Sequence, residues 1–346
     1  MKRIISMAIM AAAAAILSIS AGAAKPQKLQ LREDGTFKIM QFTDLHFKTH
    51  TPDENAKVLK RIESMTELEH PDFIVVTGDL VFTDQAGPML QSIIDKLDST
   101  GVPWCILYGN HDAEQDLTRP QMSSMVTSGK FSVNTLNKAG ELADMELAVC
   151  DGKDALLYLY LMDSHDYSTI EGVGGYAWLT RQQVDWLRES CLARTDKDGK
   201  VAPSFAFFHI PLPEYRDAWE QGKHVGIKAE SVCAPQINSG MFAAMVETRS
   251  VKGVFAGHDH NNDFVALWQG IALCYGRYSG GNTVYNDIPR GARVIRFNKN
   301  KEGFETWTRD DEGRALGHVF VTGKDLIKGK KNLDGKYSLW YELDED

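Results

Sequence analysis

The sequence lacks most of what would mark a nucleic-acid binder, a disulfide scaffold, a polytopic membrane protein or a string of modules. Basic residues are outnumbered: 38 Lys and Arg stand against 47 Asp and Glu, a formal net charge of -9. A polyanionic phosphate backbone is therefore repelled at long range. Cysteine is sparse: Cys105, Cys150, Cys191, Cys233 and Cys274 lie at long spacings, with no Cys-x-x-Cys pair. That is no disulfide framework. Cys105 and Cys274 fall in apolar stretches and are expected as small buried core residues. No repeat, low-complexity linker or Pro-rich hinge marks a boundary, although 346 residues alone would allow two domains.

No apolar run reaches the roughly 20 residues of a spanning helix. The longest, from Ile4 to about Ile19, follows Lys2 and Arg3 and ends in Ala21-Gly22-Ala23-Ala24. This is the pattern of a secretory signal, so residues 1–24 are expected to be removed and the protein exported, periplasmic or secreted. An uncleaved N-terminal anchor is the competing reading, disfavoured by the short run and the small-residue ending. No Cys lies near the cleavage site, so a lipid anchor there is not supported.

What is present is ordinary globular material, 43% hydrophobic and 25% charged. Short runs rich in Val, Ile, Phe and Tyr alternate with helical patterns, the mark of an α/β protein. Strands are expected over 37–43, 73–77, 103–108, 156–162, 205–209, 253–256, 264–268, 271–275 and 292–297. Helices are expected over 53–69, 86–97, 180–192 and 236–247. In the first of these Val58, Leu59, Ile62, Met65 and Leu68 repeat at the spacing of one buried face. Beyond about Phe264 consecutive strands without long helices point to antiparallel pairing.

Five motifs sit at or just after expected strand ends: Asp44-Leu45-His46, Gly78-Asp79, Gly109-Asn110-His111-Asp112, His209, and Gly257-His258-Asp259-His260. Each alone is weak, since a Gly-Asp pair is commonly a turn. Strand ends, however, are where open α/β sheets gather functional groups, and five in succession are hard to explain as turns. Residues two apart in an extended chain project to the same side, so Asp44 with His46, and His258 with His260, can each converge. A carboxylate such as Asp79 can place its two oxygens on different ions about 3.5 to 4 Å apart, the separation used for displacement at phosphorus. Asn110 adds an amide oxygen and His209 another imidazole. This nitrogen and oxygen set without Cys suits Mn, Fe or Zn better than Ca or Mg.

In their order and spacing, over roughly residues 38–297, these motifs resemble the calcineurin-like metallophosphoesterase superfamily. The stretch His209-Ile210-Pro211-Leu212-Pro213-Glu214-Tyr215 resembles its purple-acid-phosphatase-related branch. The resemblance implies a four-layer α/β/β/α sandwich of two mixed β-sheets flanked by helices. It implies that Asp44, His46, Asp79 and His260 bind one divalent or trivalent ion and Asp79, Asn110, His209 and His258 a second. His111 is then a non-ligand that contacts the phosphate and helps the leaving group depart. The purple enzymes carry a metal-binding Tyr three residues after the Gly-Asp aspartate. Here that residue is Phe82, so a colourless, more labile centre is expected and the metal's identity stays open.

The expected reaction is phosphoric ester hydrolysis, most simply of monoesters. Two divalent ions against Asp44 and Asp79 leave the site near about +2, and a bridging hydroxide between them attacks phosphorus in line. A protonated His111 gives its proton to the leaving alkoxide. Asp112 is a candidate to orient His111. Arg277, in Gly276-Arg277-Tyr278-Ser279-Gly280-Gly281, either clamps a substrate phosphate or is a surface arginine in a turn. Tyr215 is a candidate for the entrance. His50 is out of register with the motifs and is expected on the surface. Gly172-Val173-Gly174-Gly175-Tyr176-Ala177 lacks the strand context of a dinucleotide fingerprint. Asp163-Ser164-His165-Asp166 has a hydrolase triad's letters without a Gly-x-Ser-x-Gly elbow, and reads as a loop near the site. The division expected is a signal over 1–24, one catalytic domain over 25–310 and an extension over 311–346 packed on it. The expected partner is a small phosphate ester, without nucleic-acid polymer or lasting membrane anchor. A phosphodiesterase on the same centre and a non-catalytic metal or phosphate binder are the rival readings.

Overall fold

The computed structural model describes residues 27–114, 116–283 and 288–329. The expected signal and the last part of the expected extension lie outside the described residues. Fifteen strands form two sheets among the described residues. Seven of them, β2 (Thr36–Phe42), β3 (Phe73–Thr77), β4 (Trp104–Leu107), β12 (Gly291–Asn298), β13 (Phe304–Asp310), β14 (Ala315–Val321) and β15 (Leu326–Lys328), run in the order β15-β14-β13-β12-β2-β3-β4. The other eight are β1 (Gln27–Gln30), β5 (Met145–Asp151), β6 (Asp154–Leu161), β7 (Ser204–Phe207), β8 (Lys223–Lys228), β9 (Val251–Ala256), β10 (Asn262–Trp268) and β11 (Ile271–Tyr275). Their order is β1-β5-β6-β7-β9-β11-β10-β8.

Alternation along the strands explains the layers. In β2 and β3, Phe37, Ile39, Phe73 and Val75 point into a core shared with Leu159, Phe205, Phe207 and Phe255 of the second sheet. Their neighbours Met40, Phe42, Ile74 and Val76 point outward, onto α1 (Pro52–Glu69) through Val58, Ile62 and Met65 and onto α2 (Ala86–Ser99) through Leu90 and Ile93. On the far side Tyr160, Ala206, Val254 and Ala256 pack against α4 (Arg181–Ala193), α5 (Glu214–Gln221) and α6 (Met241–Thr248). Every central strand is thus covered on both faces, which is why β3 reads Phe-Ile-Val-Val-Thr without a polar alternation. Helices, sheet, sheet, helices is the arrangement that the resemblance implied.

Most expected elements are observed with ends shifted by a residue or two, but the helix expected over 236–247 starts only at Met241, after Gly240 at φ 84. Strands β1, β5, β8 and β13 and the helices α3 (Arg119–Ser128) and α5 were not among the expected segments. β8 is an edge strand, Lys-His-Val-Gly-Ile-Lys, with only Val225 and Ile227 buried, so it carries too short an apolar signal. β12 to β15 pair antiparallel, as expected of the later chain, and β14 and β15 extend the seven-stranded sheet.

Parallel pairing positions the site. β2, β3 and β4 run parallel in one sheet, and β7, β9 and β11 in the other. All five motif-bearing strands end at the same edge of the sandwich, where open α/β sheets hold ligands.

Candidate metal centre

Three of the five functional loops leave their strands by a sharp turn. Asp44 (φ 55), His46 (φ 47), Asp79 (φ 52) and His258 (φ 77) are all non-glycine residues in the left-handed region. Such conformations persist only where surrounding bonds enforce them. Here Asp44 N–H donates to Gly78 O (3.0 Å) and His46 N–H to Asp79 O (2.9 Å), stitching the first two loops together. The motif glycines permit this closeness. A Cβ on Gly78 would lie 2.5 Å from Gly109 N and 2.7 Å from His209 Nδ1, and one on Gly109 would lie 2.1 Å from Asp79 Oδ1.

The ligating atoms of Asp44, His46, Asp79 and His260 all lie within 4.8 Å of one another, and those of Asp79, His209 and His258 form a second such group. Asp79 belongs to both: its Oδ2 is 3.6 Å from His46 Nε2 and 3.3 Å from His209 Nε2. In the first group His46 Nε2 faces His260 Nε2 at 3.2 Å, and Asp44 Oδ1 is 3.3 Å from His260 Nε2. In the second, His209 Nε2 faces His258 Nδ1 at 3.3 Å and Asn110 Oδ1 at 3.2 Å. The outer atoms are tied down. Thr43 Oγ1 (2.6 Å) and His258 N–H (3.0 Å) donate to Asp44 Oδ2, while His111 N–H donates to Asp79 Oδ1 (3.0 Å). His209 Nδ1 donates to Thr77 O at 2.7 Å and His260 Nδ1 to Thr283 O at 3.2 Å, which turns each Nε2 inward as a ligand.

Charge argues the same way. Burial drives His46 down to about 4 and His258 to about 3, so both are neutral imidazoles, the ligating form. For His209 burial acts downward too, but the charge of Asp79 and its hydrogen bond outweigh it and raise the imidazole to about 10. Two buried carboxylates therefore draw a proton onto His209 where a metal cation would serve. Pairs of facing imidazole nitrogens beside shared carboxylate oxygens fit two cations and little else.

Asp112 does not orient His111. Its carboxylate accepts the backbone N–H groups of Asp79 (2.9 Å), Leu80 (2.8 Å) and Gly109 (2.8 Å), bracing two metal loops from behind. The partner of His111 is Glu114, whose Oε2 lies 2.7 Å from His111 Nδ1. The 3₁₀ turn His111–Ala113 brings the two together. Arg277 does not face the site: it is 1% exposed, its guanidinium pairing with Asp263 and donating to Pro289 O (3.1 Å). Tyr215 does not line an entrance but is buried, its hydroxyl placed against Cys274 O (3.1 Å) and Val254 O (3.2 Å). His50 is exposed.

Aromatic residues border the ligands. Phe82, 38% exposed, sits 4.7 Å from the His111 ring and 6.0 Å from that of His46. Tyr278 stacks on His260 at 4.5 Å, and Tyr176 meets His258 edge-on at 4.4 Å. Tyr176 stacks in turn on Tyr167, from the loop expected near the site. That loop does lie there, since Ser164 Oγ accepts Ile210 N–H at 2.9 Å. Glu114, Tyr167, Tyr176 and Tyr278 were missed because none belongs to the five motifs, although Tyr176 and Tyr278 lie inside the two glycine-rich stretches. Nearness to His111 in sequence and membership of those stretches were the available signals.

Residues 37–262 match the family model for calcineurin-like phosphoesterases. Over 337 residues the chain is 30% identical to a protein of Arabidopsis thaliana named probable inactive purple acid phosphatase 29, covering 84% of this chain and 86% of that one. It is 29% identical over 323 residues to Phosphatase DCR2 of Saccharomyces cerevisiae, covering 82% of this chain and 55% of that one. The crystal structure of a dimetal phosphatase from Danio rerio shares the fold, with a TM-score of 0.55 at 12% identity over 79% of this chain and 96% of that one. The chain therefore belongs to the calcineurin-like phosphoesterase family.

Proposed function

We propose that the protein is an exported phosphomonoesterase acting on a small phosphate ester through two transition-metal ions. Asp44, His46, Asp79 and His260 would hold one ion, and Asp79, Asn110, His209 and His258 the other. The observation that carries this reading is the shared Asp79, whose one carboxylate belongs to both ligand groups with His111 anchored on its second oxygen. When bound, the ions supply Lewis-acid stabilisation of phosphoryl oxygens and acidify water at neutral pH. His111 stands beside that centre with its Nδ1 engaged by Glu114, and its Nε2 would serve the leaving oxygen. Phe82 offers no phenolate, which supports a colourless centre of Mn, Fe or Zn. Export is supported by the leader pattern of residues 1–24. No helix among the described residues is long and apolar enough to cross a membrane.

A diester reading is favoured by one relative, a probable cyclic nucleotide phosphodiesterase of Psychrobacter arcticus, 25% identical over 299 residues. The plant relatives named inactive favour a binding role, against which stand the two gathered groups of candidate ligands here. One assay decides. Protein loaded with Mn, Fe or Zn is given an aryl phosphate monoester and a bis-aryl diester, with metal content measured in the same preparation. Monoester turnover that disappears in Asp79→Ala and His209→Ala is the expected result. Faster diester turnover would replace the monoesterase reading, and none by metal-replete protein would leave a binder.

A further inference from the structure

We propose that Glu114 and Tyr167 are positioning residues that hold His111 in the orientation needed to protonate the leaving group. This rests on the hydrolase reading above. The geometry is a chain of three hydrogen bonds. Glu114 Oε2 is 2.7 Å from His111 Nδ1, Tyr167 Oη donates to Glu114 Oε1 at 3.0 Å, and Asn110 Nδ2 donates to Tyr167 Oη at 3.0 Å. Both oxygens of Glu114 are therefore engaged, one by the imidazole and one by the phenol.

That second anchor matters because the pair is open to water. The side chains of His111 and Glu114 are 29% and 37% exposed, and an isolated surface pair of this kind is weakly held. Tyr167 is itself fixed by stacking on Tyr176, which abuts His258. The phenol also settles the amide of Asn110: with Nδ2 on Tyr167, Oδ1 faces His209 and the second ligand group. One hydroxyl thus aligns a metal ligand and, through Glu114, a proton donor. Asp112, next to His111 in sequence, is fully used by backbone N–H groups and is not available for this task.

In the step concerned, a hydroxide oxygen bonds to phosphorus, the P–O bond to the leaving alcohol breaks, and the leaving oxygen takes the Nε2 proton of His111. The imidazole is left neutral, with Nδ1–H still on Glu114. A leaving group that departs well without a proton, such as nitrophenolate, needs this help least.

The test is a double-mutant cycle with two substrates and one spectroscopic readout. Glu114→Ala should lower kcat on an alkyl phosphate monoester at least about tenfold, within the range general-acid catalysis contributes. KM and metal content should hold, and nitrophenyl phosphate should be much less affected. Tyr167→Phe, which keeps the ring, should reproduce a smaller part of the loss. In a His111→Ala background, Glu114→Ala should cost nothing further, because its effect passes through His111. Additive losses, or equal losses on both substrates, would overturn the proposal. Independently of activity, 15N spectra of the imidazoles in metal-free protein should show His111 protonated at Nδ1, with that tautomer lost in Glu114→Ala. An unchanged tautomer overturns the positioning role. Full turnover by His111→Ala would instead remove His111 from the reaction, and the spectra would still decide whether Glu114 holds it.

Discussion

The carboxylate of Asp79 and the imidazole of His209 meet at 3.3 Å across the seam between the two sheets, one after β3 and the other after β7. A cation held by both would staple the sandwich as well as serve chemistry. A ligand that binds only the folded state stabilises it by about 4 kcal/mol at a thousand times its dissociation constant. The metal-loaded protein should therefore melt several degrees above chelated protein, and Asp79→Ala should abolish the difference. The same metal-induced shift in that variant would mean the stabilising ion sits elsewhere.

Asp112 has no expected contact with substrate yet should be among the costlier residues to remove. Three backbone N–H groups converge on it within 3.0 Å in a fully buried setting, with Val81 N–H a longer fourth at 3.5 Å. Asp112→Ala strands all three, at about 1–3 kcal/mol for each donor left unsatisfied. Urea unfolding should show a loss of roughly 3 kcal/mol or more, with metal affinity falling too as the loops of Asp79 and Asn110 loosen. A loss below about 1 kcal/mol would show that water or a shifted loop replaces the carboxylate.

The candidate ligands were legible because each follows a buried strand at a spacing that only a convergent site explains. Asp44, His46, Asp79, His209, His258 and His260 are gathered as the motifs foretold. What could not be read was direction. Asp112 turns away from His111 because backbone N–H groups some thirty residues earlier in the chain claim it, and backbone donors leave no trace in composition. Glu114 reaches His111 only because a 3₁₀ turn places residues three apart side by side. Arg277 reads among its glycines as a phosphate clamp or a surface residue, yet Asp263 draws it inside. The alternation of strands and helices was readable from apolar runs and the layers from the family resemblance, whereas the edge strand β8 was not readable, since half its residues face water.

Arg277 separates a structural role from a substrate role. Its guanidinium and that of Arg293 flank Asp263, with Thr308 Oγ1 also on the carboxylate at 3.1 Å, all buried. The two arginines hold the carboxyl of Asp263 below its ordinary range against the upward push of burial. Breaking a buried pair on one side costs about 3–5 kcal/mol, here reduced by the arginine that remains. Arg277→Met should lower stability by roughly 2–3 kcal/mol and leave KM for a phosphate ester unchanged. A raised KM with unaltered stability would restore the arginine to the substrate.

Glu305 gives the fold a dependence on acid that is separate from the metal centre. On β13 it pairs with Arg296, with Lys301 Nζ at 3.2 Å and with His318 Nε2 at 3.3 Å. Burial pushes its carboxyl up, but these partners outweigh it and bring it to about 2, from an ordinary 4.5. A carboxyl depressed in the folded state stabilises fully above its unfolded pKa, and that contribution is lost as pH falls through the folded value. The window therefore opens near 4.5 and closes near 2. With screening by the water that its partners reach, the contribution is of order 1–2 kcal/mol. Urea unfolding of wild type and Glu305→Gln should differ by that amount at pH 7, and the gap should narrow steadily from about pH 4.5 down to pH 3. A gap that stays constant over that range would mean the glutamate acts through packing and hydrogen bonds that its amide reproduces, not through its charge.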